Sequence, residues 1–96
     1  MINDYNEVKK KLKIEINNLF EEFWDIYPRK IGKAKCVKKF TNLCRDIETG
    51  KLIIEGLKKY NNIYSTRARK YIPHPSTWLN EERWLDDIES EYEEIF

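Results

Sequence analysis

The chain has 96 residues, 36% of them charged and 14% aromatic, with three glycines and a formal net charge of +1. That length allows one domain with a single modest core and excludes a second. No run approaches the roughly 18 apolar residues of a membrane span, and the start MINDYNEVKKKLK lacks the apolar stretch of a signal peptide, so the expectation is a soluble, cytoplasmic protein.

Tyr5, Val8, Leu12, Ile16, Leu19, Phe23 and Ile26 recur in steps of three and four, the stripe of one long helix over 1–27. Phe20, Trp24 and Tyr27 widen the stripe towards its end. Pro28 stops the helix, because the residue before a proline is driven out of the α region. PRKIGK then makes a tight connection with Gly32 as its flexible point. A second helix is expected from about Lys33 to Arg45 with Ala34, Val37, Phe40 and Cys44 inward. DIETGK reads as the next turn, and a third helix from about Lys51 places Ile53, Leu57, Tyr60 and Tyr64 on one face. The polar, basic NNIYSTRARKYI follows, with a short strand around Arg69 to Ile72 as its only β option.

Pro73 and Pro75 flank His74, the chain's only histidine, and make a rigid corner. Pro75 suits the first position of a helical turn over Ser76 to Leu79. Asn80 reads as the cap of a last helix running from Glu81 to about Glu94, which would send Trp84, Leu85, Ile88, Tyr92 and Ile95 inward. The expected fold class is all-α, four to five helices around a Trp, Tyr and Phe core, in which Trp24 and Trp84 are central and Trp78 partly exposed. The domain divides into the long helix, a basic helical middle over 28–72, and the corner with its acidic helix over 73–96.

Chemistry has few candidates. Cys36 and Cys44, eight residues apart on one helix, have Cα atoms about 12 Å apart, too far for a disulfide. Two thiols and one remote histidine make a poor zinc set, so both cysteines read as core residues. His74 has Ser76 nearby but no third orienting group, and the glycines form no phosphate loop. The acids of the last segment read as a solvated face. The expectation is no catalytic residue, no metal, no cofactor and no enzyme.

Charge is strongly segregated. Seven cations and no acid lie between Pro28 and Arg45, whereas Pro73 to Phe96 holds eight acids and the single base Arg83. Arg29, Lys30, Lys33, Lys35, Lys38 and Lys39, extended by Arg67, Arg69 and Lys70, are the candidate binding residues, able to neutralise phosphates. The competing reading is a solvated lysine face, or one paired with the acidic tail. Exposed tryptophans beside these cations would stack on unpaired bases.

LFEEFWDIYPRKIGKAKCVKKF, followed after a spacer by YIPHPSTWLNEERWLDD, resembles the C-terminal accessory domain of replication proteins from phages, prophages and plasmids. Phe20, Phe23, Trp24, Tyr27, Pro28, Arg29, Lys30, Gly32 and Lys33 carry the first half of the resemblance. Pro75, Thr77, Trp78, Leu79, Asn80, Arg83, Trp84 and Asp86 carry the second. The resemblance implies a helical module of replisome organisers or helicase loaders, with DNA or a DNA-bound replication protein as partner in the bacterial cytoplasm. The winged-helix domain usual upstream in such proteins has no counterpart here, so origin recognition does not carry over. A small inhibitor of a host CRISPR or other nuclease complex fits the same size and origin. A homodimer paired through the N-terminal helix is a third reading.

Overall fold

The computed structural model describes residues 2–88, with side chains from residue 6 onward. Helices α1 (Ile2–Ile26), α2 (Lys33–Leu43), α3 (Ile47–Tyr64) and α4 (Pro75–Asn80) are supplemented by 3-10 turns at Arg69–Tyr71 and Arg83–Leu85. No strand occurs among the described residues, and Arg69–Tyr71 winds into a 3-10 turn where a strand was the alternative. The fold is all-α with a buried aromatic cluster, as the sequence pattern implies.

The helix α1 stops at Ile26, two residues before Pro28. Its exposed last carbonyls acquire partners, as helix ends require: Asn61 Nδ2 donates to the Ile26 carbonyl at 3.0 Å, and Lys30 Nζ to the Tyr27 carbonyl at 3.0 Å. Only the second half of the predicted stripe is buried. Ile16, Phe20, Phe23 and Tyr27 lie in the core, but Val8 is 66% exposed, because α1 extends past the described elements that pack against it. Tyr5 lies where side chains are not described.

The chain turns at Gly32, whose φ of 72° is strained for any residue with a Cβ, and α2 starts at Lys33 as expected. It ends at Leu43 rather than Arg45. Its inward face is Cys36 and Phe40, with Val37 partly buried, whereas Ala34 faces solvent. One turn separates Cys36 from Phe40, and Ala34, two positions before Cys36, lies on the other side of the helix.

The stretch expected as a turn, DIETGK, is instead the start of α3. Asp46 caps it, accepting from the Thr49 amide at 2.8 Å and the Thr49 hydroxyl at 2.9 Å. These bonds hold the Asp46 carboxyl below its ordinary pKa. Ile53, Leu57, Tyr60 and Tyr64 are buried on the face that the spacing assigned.

The tryptophans reverse their expected places. Trp78 is 0% exposed and forms the centre of the cluster, while Trp24 and Trp84 are partly buried at its edge. Four rings surround Trp78: Phe23 at 5.8 Å, Tyr27 at 6.3 Å, Tyr60 at 5.8 Å and Trp84 at 6.0 Å between centroids. Two of these contacts are edge-on, at 73° and 85°, as the ring quadrupole favours. The Pro corner delivers this residue, with Pro75 at the start of α4 and His74 as its N-cap position.

The last helix does not begin at Asn80. Asn80 ends α4, Glu82 turns the chain in the left-handed region at φ 51°, and the 3-10 turn Arg83–Leu85 follows. Leu85, expected inside, is 69% exposed, while Ile88 is buried. The turn is fastened by the Tyr60 hydroxyl donating to Asp86 Oδ2 at 2.5 Å and by Arg83 Nε donating to Glu81 Oε1 at 2.9 Å. The predicted helical stretch from residue 89, including Tyr92, Ile95 and four of the eight acids, lies outside the described residues.

Candidate functional site

The one-sided placement of lysines on α2 follows from its packing. Cys36 and Phe40 commit one face to the core, which leaves Lys35, Lys38, Lys39 and Asn42, spaced by three, one and three residues, on another. α4 packs against α2, and its Ser76, Thr77 and Asn80 lie across from these lysines. Together the seven side chains line an open groove of about 400 Å³. Its lining contains three ammonium groups, one hydroxyl from Ser76, one from Thr77 and two carboxamides, and no acid and no aromatic ring. Among the described residues, no carboxylate pairs with Lys35, Lys38 or Lys39.

The other candidate cations are placed differently. Arg29 reaches across the chain to donate to the Ile72 carbonyl at 2.8 Å and the Lys70 carbonyl at 3.5 Å, so it ties the first connection to the Pro corner. Lys30 caps the end of α1. Lys33 pairs with Glu21 at 3.6 Å and sits 5.8 Å from the Trp24 ring centre. Arg67, Arg69 and Lys70 are exposed on the connection between α3 and α4 and do not line the groove. The structure thus gathers three of the nine candidate cations into one site.

The Tyr27 hydroxyl donates to the Pro73 carbonyl at 2.6 Å, joining α1 to the corner, and burial raises its pKa far above the ordinary tyrosine value. Pro28 ends α1, and Pro75 opens α4. Trp24 and Trp84 pack at the edge of the core, and Asn80 closes α4 and contributes to the groove. The contributions of Ser76 and Thr77 to the groove were missed by reading the corner as purely structural. The hint was their position one and two residues after Pro75, on a helical turn long enough to face α2.

Burial pushes both thiols up to about 12, so Cys36 and Cys44 stay protonated and weakly nucleophilic near neutral pH. Among the described residues, no cluster of three His, Cys, Asp or Glu side chains is arranged to hold a metal ion. No helix of the described residues is long and apolar enough to cross a membrane.

Fold and site define a small all-α domain, built on an aromatic core, that carries a cationic groove between two helices. The chain belongs to the family of the Legionella vir region protein LvrA C-terminal domain, whose family model matches residues 15–82. That span contains the whole groove and all of the core except Ile88. No curated protein and no solved structure matches the chain.

Proposed function

We propose that the protein is a non-enzymatic binding module of phage or other mobile-element origin that engages DNA, or a DNA-bound replication protein, in the bacterial cytoplasm. The observation that carries this reading is the convergence of Lys35, Lys38 and Lys39 with Ser76, Thr77, Asn42 and Asn80 in one groove without an acid. Three ammonium groups attract phosphates, and hydroxyls and carboxamides supply hydrogen bonds to phosphate oxygens, the contacts that position a protein on a nucleic-acid backbone. The resemblance to replication-protein accessory domains supports the same reading. The chemistry of the lining favours backbone contact over base readout.

Fluorescence polarisation with a labelled DNA duplex tests the proposal. Three phosphate contacts give a log–log salt slope of about −2.7, so affinity falls about 40-fold between 50 and 200 mM salt. The variant K35E/K38E/K39E, whose changes lie on the surface, abolishes binding while its circular dichroism matches the parent. Equal affinity of variant and parent would overturn the DNA reading. No affinity for DNA, together with stoichiometric capture of a host nuclease complex, would establish the inhibitor alternative in its place.

A further inference from the structure

We propose that Tyr71, presented on the basic segment Arg67 to Tyr71, is a stacking platform for an unpaired nucleobase, so that the module holds single-stranded DNA at a point distinct from the lysine groove. The inference rests on the nucleic-acid reading above and adds the form of the ligand.

The first argument is where the aromatic rings lie. Phe20, Phe23, Tyr27, Phe40, Tyr60, Tyr64 and Trp78 are buried, and Trp24 and Trp84 pack at the edge of the core. Tyr71 is the one Phe, Tyr or Trp side chain among the described residues that is exposed, at 66%. The stacking expected of a tryptophan in a single-strand binder therefore has no exposed tryptophan among the described residues, and the large ring available for it is a tyrosine.

The second argument is rigidity. The Tyr71 amide donates to the Ala68 carbonyl at 2.9 Å, and the Ile72 amide to the Arg69 carbonyl at 3.1 Å, closing the 3-10 turn. Ile72 is buried in the core, Arg29 holds the carbonyls of Lys70 and Ile72, and the Tyr27 hydroxyl holds that of Pro73. The backbone on both sides of Tyr71 is thus fixed from within, and its ring is held outward on a tethered segment. A pre-positioned ring loses little conformational freedom when a base stacks on it. The internal role of Arg29 gains a purpose by the same geometry, as a positioning residue for the platform.

The third argument is charge. Arg67, Arg69 and Lys70 are exposed, and none has a carboxylate partner among the described residues. Lys70 Nζ lies 5.1 Å from the centre of the Tyr71 ring, and the Arg67 guanidinium 5.9 Å from that of Tyr64. Tyr71 thus has one cation beside its ring, Lys70, and two more, Arg67 and Arg69, within four residues of it in the chain, the combination by which single-strand binders hold a base on an aromatic face and its phosphates on adjacent charges.

The test compares the full chain with Tyr71→Ala and Tyr71→Trp, using short oligo(dT) and a DNA duplex as probes in fluorescence polarisation. Tyr71→Ala lowers oligo(dT) affinity by about 5- to 150-fold, the range for losing one stacked base, and leaves duplex affinity unchanged. Tyr71→Trp retains or improves oligo(dT) binding, an outcome that lost positioning alone would not produce. Unchanged oligo(dT) affinity in Tyr71→Ala, or an equal loss on both probes, overturns the stacking proposal while leaving the groove reading intact. A parent protein that binds neither probe overturns both.

Discussion

Gly56 offers a sharp test of how the chain after α4 is seated. Gly56 lies within α3, where alanine is the better helix former by about 0.8 to 1 kcal/mol, so helix propensity alone predicts that Gly56→Ala stabilises the protein. The packing predicts the opposite. A methyl group at this position would meet the Trp84 Cα at 2.6 Å and the Trp84 carbonyl oxygen at 3.1 Å, with the Trp84 Cβ closer still. An ordinary contact lies near 3.5 to 4.0 Å, so the Trp84 backbone has to retreat by about 1 Å. Retreat is resisted by the Tyr60 bond to Asp86 and by Trp84 against Trp78. Overpacking of this kind costs about 1 to 3 kcal/mol, and contact with backbone rather than a movable side-chain tip puts it in the upper part of that range. After the propensity gain is subtracted, Gly56→Ala destabilises by about 1 to 2 kcal/mol, a fall in melting temperature of about 4 to 16 °C for a domain of this size. Gly50→Ala is the control, because its one close approach is to the end of the Leu19 side chain, Cδ1 at 2.8 Å, which can rotate away, while Cys44 Sγ at 3.5 Å is in ordinary contact. Its propensity gain and repacking cost nearly cancel, leaving it within about 1 kcal/mol of the parent. Urea unfolding followed by tryptophan fluorescence and circular dichroism measures both. A Gly56→Ala protein as stable as the parent would refute the seating of Trp84 on α3.

Other substitutions probe the remaining joints. Trp78→Ala removes the ring that four others enclose and costs about 3 to 5 kcal/mol in urea unfolding, whereas Trp84→Ala, at the edge of the cluster, costs less. Arg29→Ala leaves the Ile72 carbonyl without its charged donor and lowers stability by about 1 to 2 kcal/mol, and Arg29→Lys, lacking the planar fork, recovers only part of the loss. Asp46→Ala destabilises α3 above about pH 4, and the difference from the parent narrows as pH falls. The sign follows from a carboxyl whose pKa is depressed by folding: its contribution is complete above the unfolded value and is lost as the folded one is crossed. Cys36 and Cys44, with pKa values pushed up to about 12, resist a thiol reagent at pH 8 in the native state and react promptly in denaturant.

The helix boundaries that follow from local chemistry were legible in the sequence. Pro28 had to end α1, Gly32 had to supply the turn before α2, and Pro75 had to open α4, because each acts through its own backbone restriction. The start of α3 was misread because DIETGK looks like a turn by composition, and only the Asp46 side chain reaching Thr49 converts it into a helix N-terminus. Asn80 with two glutamates after it looked like another N-terminus. There the left-handed Glu82 and the local Arg83 bond to Glu81 accompany a 3-10 turn, and the Tyr60 bond to Asp86, from 26 residues away, fastens it.

The sequence by itself determined an all-α protein, the inward faces of its longer helices and a cationic stretch separated from an acidic one, because helical periodicity and charge are local properties. Tertiary structure alone decided which tryptophan is central, since the period of a helix shows which face is buried but not what meets it, and α4 is too short to show a period at all. It also decided that Arg29 and Lys30 serve the fold while Lys35, Lys38 and Lys39 face Ser76, Thr77 and Asn80 across a groove. Those partners lie more than thirty residues apart in the chain, and only the packing of α4 on α2 brings them together.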